Sequence, residues 1–255
     1  LKEGLYEDTE RKETLLDLCR FSTNESEDPI SLSQYLEKMP DTQKEIYYSA
    51  AETSAQALAS PHLEGFKSKN IPVLIMTDAI DQFWLPMVGS FKEKKFTSIT
   101  QGKINLDELD SKNKDKKNKS NDDKAKQDKE YVDLIAQLKV VLGDQVKDIR
   151  LSSKLTDSPV CLVADEGDMD IAMEQLMAQR DSNYKGAPRI LEINGDHSLI
   201  KNMKSLLSKK ESNDLVSDAG TLLFEQARLM EGKMPADPAQ FSKIMNQFLL
   251  KARPN

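Results

Sequence analysis

The chain has 255 residues, 38% of them hydrophobic and 31% charged, with a formal net charge of −7. That length supports two modest domains with their own cores. The acidic balance argues against a general affinity for nucleic acid or an anionic membrane, whose phosphates require a basic face.

No apolar run reaches the length of a membrane span, and no basic-plus-apolar signal segment opens the chain. Cys19 and Cys161 each sit in an apolar run, the pattern of buried free thiols in a reducing compartment. The first residue is Leu1 rather than methionine, in mid-helix composition, so the sequence reads as a fragment of something longer.

Glu7 to Phe21 has helical spacing, with Leu15, Leu16, Leu18 and Cys19 on one face, and the polar run Asn24 to Pro29 breaks it. Ser31 opens a short helix to Met39 through a Ser-x-x-Gln capping box. Lys44 to Ala50 reads as a strand, and Ser54 to Lys69 as a helix interrupted near Pro61. Ile71 to Met76 is a nearly continuous apolar run, the pattern of a strand covered on both faces. Asp78 to Phe91 is helical in part, and a short edge strand follows around Phe96 to Ile99. Strand and helix alternate as in a small α/β layer with a parallel core.

From Asp107 to Glu130 the composition changes. Between Ser111 and Lys129 the only apolar residue is Ala125, and over Asp107 to Glu130 lysines balance acids one for one. This reads as a solvated connector whose first half cannot offset its ordering entropy and whose second half leads toward the next helix.

That helix spans Tyr131 to Leu142 and stops at Gly143. Val146 to Leu151 and Val160 to Ala164 are strands, Asp168 to Gln179 a helix, Arg189 to Asn194 an alternating strand, and Asp196 to Leu207 a helix. The chain closes on an amphipathic pair, Ser212 to Met230 and Asp237 to Leu250. Their stripes are Leu215, Ala219, Leu222, Leu223, Ala227 and Met230, then Phe241, Ile244, Met245, Phe248 and Leu249. Gly232 suits a left-handed helix end, and Pro238 a first helical position. From the pattern alone, this pair either folds back on its own domain or forms a four-helix bundle with a copy.

Catalytic motifs are missing. The two histidines, His62 and His197, are not near a cysteine in sequence, and a zinc site needs about four converging ligands. Ser60 with His62, or Asp196 with His197, lacks any nucleophile elbow and suits capping. The acid pairs Asp78/Asp81 and Asp168/Asp170 fall at helix starts, where carboxylates are favoured. No phosphate-cradling glycine motif occurs.

Two segments stand apart. Met169, Met173, Leu176 and Met177 share a helical face, which is either core or an adaptable binding surface. Phe83-Trp84-Leu85-Pro86-Met87-Val88 sets large apolar groups around a proline expected to interrupt its helix, as a core corner or an exposed aromatic patch.

Several stretches carry a resemblance. Leu1-Lys2-Glu3-Gly4, Leu18-Cys19-Arg20-Phe21, Ser31-Leu32-Ser33-Gln34-Tyr35 and Ser60-Pro61-His62-Leu63-Glu64 lie in collinear order with Val73-Leu74-Ile75-Met76-Thr77-Asp78. Val146-Lys147-Asp148-Ile149-Arg150-Leu151, Leu155-Thr156-Asp157-Ser158-Pro159 and Met245-Asn246-Gln247 continue the order. Together they resemble the 90-kilodalton heat-shock protein chaperones of the bacterial HtpG type, over nearly all the chain except the charged connector.

The resemblance implies an α/β (α+β) fold. Residues 1–104 would form a helical connector and a small α/β/α sandwich module of the middle domain, and 105–129 a charged linker. Residues 130–255 would form a mixed α+β dimerisation domain, whose final helix pair makes a four-helix bundle with its copy.

It implies an ATP-driven homodimeric chaperone in which ATP and Mg bind upstream, so that this stretch holds no cofactor or metal and does not hydrolyse ATP itself. Client contact would fall to Phe83, Trp84, Met169, Met173, Leu176 and Met177. The dimer interface would use Leu215, Ala219, Leu222, Leu223, Phe241, Ile244, Met245, Phe248 and Leu249. Partners would be a second copy and partly unfolded proteins, with no nucleic acid and no membrane.

Relatives often carry tryptophan where this chain has Phe83, and some bacterial ones a polar residue at Pro86. The ending Lys251-Ala252-Arg253-Pro254-Asn255 lacks the acidic or retention tails of eukaryotic relatives, which suits a bacterial cytoplasmic protein. Two rival readings are a scaffold that binds one folded partner and a small α/β hydrolase using Ser60 and His62.

Overall fold

A computed structural model describes residues 1–8, 10–102, 104, 106–109, 117–181, 184, 186–208 and 213–251. Grouped by contact, the chain forms two compact units, Leu1–Asn113 with Ala164–Ala187, and Lys114–Val163 with Pro188–Asn255. The three-way division expected above follows composition and resemblance. Contact is a different criterion, and it joins the methionine-bearing segment to the first unit.

In the first unit the expected opening helix is two, α1 (Lys2–Glu7) and α2 (Lys12–Leu18). Leu16 and Cys19 are buried as the spacing predicts, but Leu18 is 51% exposed. After the two-residue β1 (Ser22–Thr23) comes α3 (Leu32–Lys38). Its capping box is present in both directions: the Gln34 N–H donates to Ser31 Oγ at 3.1 Å, and the Ser31 N–H donates to Gln34 Oε1 at 2.9 Å.

Next come β2 (Ile46–Ala50), α4 (Ser54–Leu58), a 3-10 turn (Pro61–Leu63), α5 (Glu64–Ser68) and β3 (Leu74–Met76). They are followed by α6 (Asp81–Val88), β4 (Ser90–Phe91) and β5 (Lys94–Ser98).

The sheet runs β1-β3-β2-β5-β4, with β2 parallel to both β3 and β5. β5 is therefore not an edge strand as expected, because β4 turns back and pairs with it antiparallel. Strand alternation feeds two cores. Ile46, Leu74 and Met76 pack with α1, α2, α3 and α6 on one face. Tyr47, Val73 and Ile75 pack with α4, α5 and the 3-10 turn on the other. Helices on both faces of a parallel centre explain why β3 reads as an unbroken apolar run.

The second unit begins with α7 (Lys117–Leu142), so the expected linker is helical from Lys117 onward; its earlier part, 110–116, lies outside the described residues. Gly143 ends the helix at φ +49.

β6 (Val146–Leu151), β7 (Val160–Val163) and β8 (Arg189–Ile193) form a sheet of order β6-β8-β7, parallel on one side of β8 and antiparallel on the other. Val160, Leu162, Leu191 and Ile193 face the main core, whereas Cys161, Val163 and Ile190 face a small second cluster. Both cysteines are buried, and among the described residues neither forms a disulfide. The helix α8 (Ile171–Arg180) lies in the chain between β7 and β8 but groups with the first unit.

The chain then continues through α9 (Ser198–Ser208), α10 (Asn213–Met230) and α11 (Pro238–Lys251). α7, α9 and α10 supply Leu134, Leu138, Ile200, Met203, Val216 and Phe224 to the main core. No helix among the described residues is long and apolar enough to cross a membrane.

Candidate functional site

Three segments were singled out from the sequence, and their side chains divide between core and surface. On α6 the inward residues are Asp81, Trp84, Leu85 and Val88, the i, i+3, i+4, i+7 spacing of a buried helix face. Trp84 is fully buried. Its ring meets Phe96 edge-on at 5.5 Å, and its Nε1 donates to Asp81 Oδ1 at 2.8 Å. The expectation that Trp84 contacts clients is therefore corrected. The helix phase turns it into the core, and its indole N–H is engaged there.

Phe83, one step around the helix, is half-buried, and Met87 is 54% exposed. Sequence reading missed Met87, although its i+4 relation to Phe83 places both on the outward side. Pro86 was expected to interrupt the helix, yet α6 runs through it. A proline removes one backbone hydrogen bond, and the packed face around Trp84 holds this two-turn helix across the gap.

Asp81 is more than the helix-start acid inferred from sequence. Lys2 Nζ lies 2.8 Å from its Oδ2 and 2.7 Å from Asp78 Oδ2. Burial pushes the Asp81 carboxyl above its ordinary range, against the pull of Lys2 and Trp84. Burial also works to lower the Lys2 ammonium, but its hydrogen bonds to Asp78 and Asp81 outweigh this and hold it above the usual lysine value.

The helix α8 starts at Asp170, whose Oδ1 accepts the Ala172 N–H at 2.8 Å and whose Oδ2 accepts from Thr100 Oγ1 at 2.9 Å. Met169 precedes the cap, so it lies outside the helix, and it is 41% exposed. The buried side of α8 carries Ile171 and Glu174. Glu174 lies against Gly186, whose positive φ and missing Cβ leave room for the carboxylate.

Met173, Leu176 and Met177 are half-buried and belong to none of the hydrophobic cores of the described residues. Phe83 and α8 meet through Arg180, whose guanidinium lies over the Phe83 ring at 5.2 Å. A groove of about 270 Å³ runs between Ala172, Leu176 and Gln179 on α8 and the ends of β2 and β3 at Ala51, Met76 and Ala79.

The C-terminal pair folds as its caps predict, although Ser212 lies outside the described residues. Gly232 has φ +76, and the Gly232 and Lys233 N–H groups return to the Leu229 and Arg228 carbonyls, closing α10 with a Schellman motif. Asp237 Oδ1 accepts the Ala239 and Gln240 N–H groups, with Pro238 as the first residue of α11. Between the helices the buried Glu225 carboxylate accepts the Ala236 N–H, and Arg228 donates to the Met234 carbonyl.

The proposed interface stripe splits. Leu223 and Ile244 are buried within this chain, whereas Leu215, Ala219, Leu222, Phe241 and Phe248 are half-buried. Met245 is 39% exposed and Leu249 62%, and the same end exposes Leu229, Met230, Met234 and Leu250.

The candidate nucleophile pairs act as caps. Ser60 Oγ accepts the His62 N–H at 3.3 Å at the start of the 3-10 turn. His197 Nδ1 accepts the Leu199 N–H at 3.2 Å. Among the described residues no group of three or more His, Cys, Asp or Glu is placed to hold a metal ion.

Comparison with known proteins adds a lineage to this geometry. The family model described as Hsp90 protein matches residues 1–253. Chaperone protein HtpG of Roseobacter denitrificans is 42% identical over 251 residues, 98% of this chain and 40% of the relative. The proteins of that name from Paramagnetospirillum magneticum and Streptomyces coelicolor are 40% and 36% identical, each over 96% of this chain and over 39% and 38% of their own length. The chain thus spans about two fifths of the length of these curated relatives.

Proposed function

Because the chain belongs to the Hsp90 protein family, we propose that it is the dimerisation and client-binding part of an ATP-dependent cytoplasmic chaperone. In the longer protein ATP and Mg bind upstream, and this stretch contributes neither cofactor nor hydrolysis. Two copies join through α10 and α11 in a four-helix bundle. Partly unfolded proteins bind reversibly to the methionines of α8 and the aromatic corner at Phe83.

The observation that carries this reading is the exposure of Met230, Met245, Leu249 and Leu250 on consecutive terminal helices, with Met234 on the segment that joins them. So many large apolar side chains at one end of a chain mark an association surface. The half-buried Met173, Leu176 and Met177, outside the cores of the described residues, support the client role in the same way.

Sedimentation tests the assembly. A dimer is expected for the chain and a monomer for Leu249→Glu, with unchanged circular dichroism; a monomeric parent would refute the bundle. Leu223→Glu is unsuited to this test, because Leu223 belongs to the core of its own subunit. For the client role, the chain is expected to suppress aggregation of two unrelated heat-unfolded enzymes, and Met173→Ser with Leu176→Ser to weaken that suppression. Equal suppression by parent and variant would remove α8 from the client surface.

A further inference from the structure

The groove beside α8 carries a charge pattern that a purely apolar client surface does not use. Its apolar walls are Met76, Ala79, Ala172 and Leu176, while two carboxylates, Glu52 and Asp78, stand at its lining, and none of the lining residues is basic. Asp78 is 61% exposed and shares the Lys2 ammonium with the buried Asp81. Glu52 is exposed, and its carboxylate accepts from the neutral amide of Gln179 at 3.4 Å. Arg180, the arginine that ends α8, is held over the Phe83 ring and does not line the groove.

Two further features fix the kind of occupant. The groove opens beyond the carboxyl ends of the parallel strands β2 and β3, where open α/β sheets place ligands. Its volume of about 270 Å³ lies below the roughly 300–1,000 Å³ of small-molecule sites, so it matches one long side chain better than a compact ligand.

The geometry points to a lysine or arginine side chain of an extended client segment as the occupant of this groove. The aliphatic stem lies along Met76 and Leu176, and the cationic head reaches the Glu52 and Asp78 carboxylates. This rests on the client-binding reading above and gives it a sequence preference: a basic residue flanked by apolar ones. A client carboxylate in the same place meets like charge.

Three fluorescein-labelled unstructured peptides test the preference. They share apolar flanks and differ at one central position, which is lysine, norleucine or glutamate. Binding to the chain is read by fluorescence anisotropy at low and at physiological salt. The lysine peptide is expected to bind about fivefold more tightly than the norleucine peptide, the upper range for a partly exposed ion pair. The glutamate peptide binds most weakly, and the lysine advantage shrinks with salt.

The advantage disappears in Glu52→Gln with Asp78→Asn. It falls in Glu52→Gln alone, which leaves the Lys2 ion pairs intact. Equal affinity for the lysine and norleucine peptides overturns the charge preference while leaving client binding in place. A lysine advantage that survives both variants also overturns it, since the cation is then read elsewhere. Failure of all three peptides to bind removes the client reading together with this one.

Discussion

The buried Asp81 and Trp84 meet a half-buried cation, Lys2. Asp81 is fully buried, and Lys2 and Trp84 share its two oxygens. Removing the cation leaves an uncompensated buried carboxylate. Lys2→Met is therefore expected to lower stability by about 3 kcal/mol, read by urea unfolding, whereas Lys2→Met with Asp81→Asn recovers most of the loss.

Asp148 is shifted in the opposite direction to Asp81. Burial acts to raise its carboxyl, but the hydrogen bonds from Lys139 and the Ile149 N–H outweigh this and hold it below the usual carboxylate range. A lowered carboxylate contributes stability above its unfolded value, about pH 4, and the contribution is lost as pH falls through the folded value. Asp148→Asn is expected to flatten that part of the acid-unfolding curve; an unchanged curve would show that the pair contributes nothing.

At the level of helices and strands, the local chemistry of ends was readable in advance. Ser31 with Gln34, Asp170, Asp237 with Pro238, and Gly232 all perform the capping roles their residue types suggest, because caps depend on backbone groups within a few residues. Gly232→Ala is expected to cost about 1–2 kcal/mol, since a Cβ disfavours its left-handed conformation.

Gly220 was not singled out, because nothing local distinguishes it. A methyl group there would collide with the Leu138 side chain of α7, so glycine sets the approach of α10 to α7. Gly220→Val is expected to cost about 1–3 kcal/mol in thermal unfolding through overpacking. A neutral result would mean that Leu138 repacks freely.

Across the molecule, two sheets of different construction share one chain. The first has a parallel centre between two cores, and the second is a mixed three-stranded sheet backed mainly by α7, α9 and α10. The stripes of the terminal helices divide between core and surface. Leu223 and Ile244 face inward, and Met245 and Leu249 face solvent. The proposed bundle thus rests on the outer half of each stripe. A concentration-dependent unfolding midpoint is expected for the chain and not for Leu249→Glu, because dimerisation links stability to mass action.

Much of the element order, the helix ends, the burial of both cysteines and the apolar stripes were written in local residue patterns, since capping and periodicity act over a few residues. Tertiary packing alone decided which side of each stripe meets the core. It turned Trp84 inward and left Phe83 half-buried, although the two are adjacent in the chain. It also grouped α8 with the first unit and brought Glu52 and Asp78 to the groove beside Leu176. Those outcomes depend on contacts between residues far apart in sequence, and a helical period identifies a face without naming what will cover it.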